Sequence, residues 1–169
     1  MMRAPDVLDV LDRLAAVEVV AWLDGGWGVD ALVGEETRPH DDLDLVIAIE
    51  DAGAVRAALG AAGFALVVDE SPTRFVLGDA ADRRIDCHPV TFDADGGGVQ
   101  RLQDGSAFRY PPEGFGALGR VGGRAVRCLS AATQVLCHLG YAPDADDRRD
   151  MRLLRDRCGV AVPQPYDAD

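Results

Sequence analysis

Apolar and polar residues follow two periods along this chain, and the switches between them mark its elements. In APDVLDVLDRLAAVE the apolar positions Val7, Leu8, Leu11, Leu14 and Ala15 fall on one helical face. VVAWLD is β-branched and aromatic before a glycine pair, which predicts a strand ending at Asp24 or Gly25. WGVDALV then reads as a short helix stopped by Gly34. After a polar loop containing Pro39, DLDLVIAI alternates with period two, so Leu43, Leu45, Ile47 and Ile49 share one face of a strand. DAGAVRAALGAAG predicts a helix over 51–62 ended by Gly63.

Three strand-like runs follow, FALVVDE, TRFVLGD and RRIDCHPV, separated by turn residues. The Gly/Pro-rich stretch from Val99 to Leu129 carries short strands around a hairpin at VGGR. Ser130 caps a helix, AATQVLCHLG, expected to end at Gly140. DADDRRDMRLLRDRCG makes a second helix, acidic at its start and basic at its end as the helix dipole favours. The tail VPQPYDAD is expected to be loose. The order of elements implies an α+β fold with a mixed sheet flanked by helices. Residues 1–127 would form the main core and 128–169 a small C-terminal helical segment packed on it as one compact unit.

The composition changes this picture little, with 48% hydrophobic and 27% charged residues. No apolar run reaches the 18 or so residues of a membrane span, and the start lacks a signal-peptide pattern, so a cytoplasmic location is expected. The charge matters more. A net charge of −12 disfavours nucleic acid and anionic membranes as partners and would draw in a cationic small molecule. All 17 basic residues are arginine. Without lysine, neither a Walker A loop nor a kinase-type phosphate-pairing strand can be built. The cysteines Cys87, Cys128, Cys137 and Cys158 have no CxxC spacing and read as reduced, buried thiols. Zinc on Cys87 and His88 is disfavoured because adjacent strand residues face opposite ways.

Three pieces carry candidate chemistry. Gly25 and Gly26 lie between a strand and a helix, where bare backbone N–H groups let phosphate oxygens approach. Asp42 and Asp44 stand about 6.6 Å apart on the polar face of an otherwise apolar strand. In RRIDCHPV, Asp86 and His88 share a face opposite Ile85 and Cys87. If that strand pairs beside the first, Asp86 lands near Asp42 and Asp44. Three carboxylates converging beside a glycine turn suit two divalent ions, Mg²⁺ by ligand hardness.

The order GG, hDhDh and a third aspartate on a later strand resembles the nucleotidyltransferase superfamily with the polymerase-beta-like core. WLDGGWGVDALVGEETRPHDDLDLVI, RIDCHPVTFDADGG, RAVRCLS and CHLGY are similar to the short lincosamide nucleotidyltransferases and aminoglycoside 2''-adenylyltransferases. The resemblance implies the nucleotidyltransferase fold and transfer of AMP, or another nucleoside monophosphate, from Mg-ATP or another NTP to a drug hydroxyl with loss of pyrophosphate. Carried onto this sequence, Asp42 and Asp44 would bind Mg²⁺, and Asp86 would be general base or a further metal ligand. Gly25 and Gly26 would receive the triphosphate, and Arg38 would neutralise its far end. The resemblance also implies a homodimer.

The remaining residues have two readings each. His40 is placed to touch phosphate or to fix its loop, and His88 to touch substrate or to make a structural hydrogen bond. Asp41 falls on the Leu43 face and suits loop capping. The role of Asp30 is open, and His138 reads as a core histidine. Chain length and the DCHP segment favour a lincosamide as substrate, whereas the charge favours an aminoglycoside. A different class of function is a non-catalytic or protein-modifying module on the same fold.

Overall fold

The computed structural model describes residues 1–167. Its centre is a mixed sheet in the order β3-β4-β5-β2-β1-β9-β8, built from β1 (Ala21–Asp24), β2 (Asp42–Ala48), β3 (Ala65–Glu70), β4 (Arg74–Gly78), β5 (Arg84–Phe92), β8 (Ala117–Val121) and β9 (Arg124–Cys128). Two pairings are parallel, β2 with β5 and β1 with β9, and the other neighbours run antiparallel. The hairpin β6 (Gly98–Arg101) and β7 (Ala107–Tyr110) extends the far end of β5. Pro89, which has no N–H to donate, sits where β5 has parted from β4 and not yet met β6.

Period-two alternation divides the sheet into two faces. Leu23, Leu43, Leu45, Ile47, Ile85 and Cys87 are fully buried on one face, beneath α1 (Ala4–Ala15) and α3 (Ala52–Ala61). The helix expected over 4–18 ends at Ala15, and α3 lies one residue inside its expected bounds at each end. Val7, Val10 and Leu14 are the buried face of α1, with Leu8 and Leu11 half-buried and Ala15 exposed, and Val55 and Leu59 are the buried face of α3. Ile49 belongs to a short 3₁₀ turn and is partly exposed, so the apolar stripe of β2 ends at Ile47.

On the other face, Val46 and Val90 pack with Tyr110, Phe115 and Leu129, and Phe115 meets the rings of Trp22 and Phe92 edge to face while those two rings pack tilted against each other. The same face changes character toward the start of β2, where Asp42 and Asp44 replace apolar residues. A smaller core joins α2 (Gly25–Val33), α4 (Ala131–Cys137) and α5 (Ala145–Cys158) through Val29, Val135, Met151 and Leu154. Asp144 and Asp147 form a reciprocal capping box that starts α5, and Gly159 in the left-handed region ends it.

Three sequence expectations change. The helix α2 starts at Gly25, so the glycine pair is its first turn and not a linker before it, because the Asp24 side chain caps it through the Gly25 N–H. The helix α4 stops at Cys137, with His138 as its cap. The tail is anchored: Tyr166 is buried in the helical core and its hydroxyl donates to the His138 carbonyl at 2.8 Å. No helix among the described residues is long and apolar enough to cross a membrane. Cys87 and Cys128 are buried, Cys137 and Cys158 half-buried, and all four are free thiols.

Candidate active site

Strand register builds the site. Asp24 on β1 sits opposite Asp44 on β2, and Asp44 sits opposite Asp86 on β5. Residues paired across neighbouring strands point to the same face, so three aspartates form a row across three strands, at the polar end of the second face. Asp24 and Asp86 are each 7% exposed, Asp44 is half-buried, and Asp42 is open to solvent. One ligand atom from each of Asp44, Asp86 and His88 lies within 4.8 Å of the other two. The expected meeting of Asp44 with Asp86 therefore occurs, with His88 rather than Asp42 completing the tightest group.

Like charges held this close resist ionisation. Partial desolvation where its side chain meets the strand mouth, then the charges of Asp44, Asp86 and Asp41, push the Asp42 carboxyl up to about 6. Burial and the Asp44 charge raise Asp86 against the pull of His88 and Arg74, and burial raises Asp24 despite its hydrogen bond from the Gly25 N–H. Burial disfavours a charged His88 ring, but the Asp44 hydrogen bond and the charges of Asp44, Asp86 and Asp24 outweigh it and lift the ring to about 9.

The donor set fits a hard divalent cation. Asp86 Oδ1 is a buried carboxylate oxygen without a hydrogen-bond partner, an arrangement that costs free energy until something positive meets it. Its other oxygen accepts from Arg74 Nη1 at 2.5 Å, and Arg74 Nε is bound to Glu70 at 2.7 Å.

The glycines are demanded by this crowding. Gly25 has φ +54°, and a Cβ there would lie 2.3 Å from Asp44 Oδ2. A Cβ on Gly26 would lie 2.5 Å from His40 Nδ1 and 2.6 Å from Arg38 Nη2. The start of α2 thus admits the carboxylate, the imidazole and the guanidinium against bare backbone. Asp44, His40 and Arg38, with Gly25 and Gly26, line one cleft of about 930 Å³, a size typical of small-molecule sites.

Beside the row lies a second, fully paired network. Asp30, 1% exposed, accepts from the Thr37 N–H at 3.0 Å, the Thr37 hydroxyl at 2.6 Å and His40 Nε2 at 2.6 Å. Arg38 forks onto Asp150, with Nη2 to Oδ2 at 2.9 Å, and reaches Asp146 at 3.5 Å. Of the two readings of His40, loop fixing describes its Nε2, while the ring also packs 4.7 Å from Trp27. Arg38 lines the cleft with its charge already shared with α5. Asp41 is exposed at the mouth of β2.

Three site residues were not singled out from sequence: Asp24, Arg74 and Gln100. The DGG order at the end of a strand was a usable signal for Asp24. Arg74 and Gln100 arrive through the β4–β5 and β5–β6–β7 pairings, which no local pattern specifies.

Comparison with known proteins places this geometry. The sequence pattern of the aminoglycoside-2''-adenylyltransferase family matches residues 6–154. A lincosamide resistance protein of Staphylococcus haemolyticus is 30% identical over 146 residues, covering 86% of this chain and 90% of that protein. A 2''-aminoglycoside nucleotidyltransferase of Escherichia coli is 32% identical over 123 residues, covering 73% of this chain and 65% of that one. The crystal structure of a lincomycin-bound lincosamide antibiotic adenylyltransferase superimposes with a TM-score of 0.79 at 29% identity, over 89% of this chain and 94% of the other.

Proposed function

The chain belongs to the aminoglycoside-2''-adenylyltransferase family, and we propose that within this nucleotidyltransferase family it moves AMP from Mg-ATP to a hydroxyl of a lincosamide antibiotic, releasing pyrophosphate. The observation that carries the reading is the buried, partnerless oxygen of Asp86 beside Asp44 in strand register, where Asp44 itself lines a ligand-sized cleft.

Asp44 and Asp86 would hold the first divalent ion, and Asp42 with Asp44 a second at the solvent side. Magnesium, when bound, neutralises phosphate charge and favours departure of pyrophosphate. The chain's own groups do the rest. The Gly25 N–H is taken by the Asp24 cap, so the backbone at Gly26 is what would receive phosphate oxygens at the helix start, with Gly25 giving room for their approach, and Arg38 and His40 border that end of the cleft. Asp86, if it is the base rather than a ligand, takes the proton of the acceptor hydroxyl, for which a carboxyl raised toward neutrality is suited. His88 stands where an acceptor would meet it. A homodimer, with a second chain adding walls to the cleft, completes the reading.

A lincosamide is favoured by the extent of the sequence match, which covers 90% of the lincosamide resistance protein and 65% of the aminoglycoside enzyme. One observation favours an aminoglycoside instead: nine aspartates line the cleft, Asp24, Asp41, Asp42, Asp44, Asp104, Asp144, Asp146, Asp147 and Asp150, against the arginines Arg38 and Arg74. Such a wall attracts a polycation more strongly than a single amine. Pyrophosphate release measured with lincomycin, clindamycin, kanamycin and tobramycin decides the matter. Turnover with lincomycin supports the first reading, turnover with the aminoglycosides alone replaces it with the second, and none with any of the four defeats both.

A further inference from the structure

The carboxamide of Gln100 is buried and held on every side. The Thr73 carbonyl can only accept, so the amide atom 3.0 Å from it is the nitrogen. The Tyr110 hydroxyl donates to Oε1 at 2.8 Å. The second amide hydrogen is left for His88 Nδ1, 3.2 Å away. A ring nitrogen that accepts carries no proton, so the proton of the neutral ring sits on Nε2. That N–H faces the row: Nε2 lies 3.4 Å from Asp44 Oδ1 and 3.8 Å from the partnerless Asp86 Oδ1. The opposite tautomer would set an N–H of His88 against an N–H of Gln100. Reversing the amide to avoid this would set Oε1 against the Thr73 carbonyl oxygen.

We propose that Gln100 is a positioning residue that turns the N–H of His88 toward the metal-holding aspartates and so keeps His88 out of the coordination shell. The proposal rests on Asp44 and Asp86 holding a divalent ion, as above. It makes the ligand set all oxygen, although an imidazole stands within 4.8 Å of it. Oxygen ligands suit Mg²⁺, whereas an added imidazole would favour zinc and its neighbours. Gln100 is thus a device for choosing the metal. A glutamate in its place would accept from Nδ1–H and free the Nε2 lone pair, the carboxylate–histidine–metal arrangement.

The test is nitrogen NMR of the ¹⁵N-labelled full chain, which has three histidines, with His88→Gln assigning the resonance. Recorded above about pH 9, where a ring lifted to about 9 by Asp44, Asp86 and Asp24 has lost its second proton, His88 is expected to carry its remaining proton on Nε2, both without metal and with saturating Mg²⁺. Gln100→Glu is expected to move the proton to Nδ1 and to raise Zn²⁺ affinity relative to Mg²⁺ by about tenfold or more. Should that variant fail to fold, Gln100→Met removes the lock without adding charge, and its zinc-to-magnesium preference is expected to rise several-fold. An unprotonated Nε2 in the parent protein overturns the proposal, as does a metal preference unchanged in the folded variant. Failure of the parent to bind any divalent ion defeats the metal reading of Asp44 and Asp86 instead. The metal-free ring then still reports whether Gln100 sets the tautomer.

Discussion

Two sets of buried aspartates flank one cleft and are treated in opposite ways. Asp30 and Asp150, 1% and 2% exposed, have their oxygens met by His40, Thr37 and Arg38. Asp24, Asp44 and Asp86 stand in register across three strands, with Arg74 as the arginine bonded to the row and one Asp86 oxygen orphaned. A protein that needed these acids only to fold would pair them as it pairs Asp30. The contrast supports the proposal that the row is kept for a cation, with His88 the imidazole beside it at 3.4 Å from Asp44 and 3.8 Å from Asp86, while the paired network lies along the cleft wall. Folding strain left uncompensated at one place is a mark of function.

The comparison breaks first at the row. Asp44→Asn is expected to lower kcat for nucleotidyl transfer by about 10²–10³-fold or more, while thermal unfolding shows a Tm equal to or above the parent's, because a repelled charge has gone. A variant that kept normal turnover, or that unfolded, would place Asp44 with the structural acids. Asp30→Ala should do the reverse. It leaves His40 and Thr37 buried without their acceptor, at a cost of about 3 kcal/mol, which lowers Tm by about 10 °C in a chain of this size. An unchanged Tm would mean that the network only decorates the wall.

Much of this contrast was legible beforehand, and its limits are physical. Period-two alternation placed Asp42 and Asp44 opposite Leu43 and Leu45, and Asp86 opposite Ile85, because a buried face permits no other register. The neighbour relation of β2 and β5 had to be assumed, since pairing is decided by the whole sheet. Asp30 was left open because its partners lie seven and ten residues ahead on a loop that Pro39 makes irregular, and the same loop is tied to α5 through Arg38 and Asp150, 112 residues apart. Gly25 and Gly26 were recognised as giving close approach. That the approaching atoms include the protein's own Asp44, His40 and Arg38 could be seen only once the elements had met.

A subtler difference is in pH. A carboxyl whose value is raised on folding stabilises the fold below its unfolded value near 4 and loses that contribution as pH rises through its folded value. For Asp42 this window runs from about 4 to about 6, and the raised Asp24 and Asp86 act with the same sign. His88, lifted to about 9, stabilises below its unfolded value near 6.5 and loses that contribution as pH rises toward 9. The metal-free protein is therefore expected to gain a few degrees of Tm as pH falls from about 8 to about 5. Mg²⁺ should flatten the slope by supplying the missing charge, and Asp42→Asn should flatten its lower half. A Tm that instead falls steadily over that range would show that the row is not frustrated.

The smallest effect sharpens what separates the two sets, which is burial and not pairing alone. Asp69 is as well paired as Asp30: Arg56 binds it at 2.9 Å and the Ser71 hydroxyl at 2.6 Å, and these hydrogen bonds hold its carboxyl down at about 2. It lies 46% exposed, however, on the β3–β4 edge. Water replaces a lost partner there, so Asp69→Ala is expected to leave Tm at pH 7 within about 2 °C of the parent. Because its folded value is depressed, its contribution is present above about pH 4 and fades as pH falls toward 2. Parent and variant should therefore converge in that acid range. A loss at pH 7 as large as that of Asp30→Ala would mean that ion pairing itself supports this fold, and the partnerless oxygen of Asp86 would then need a different explanation from an absent cation.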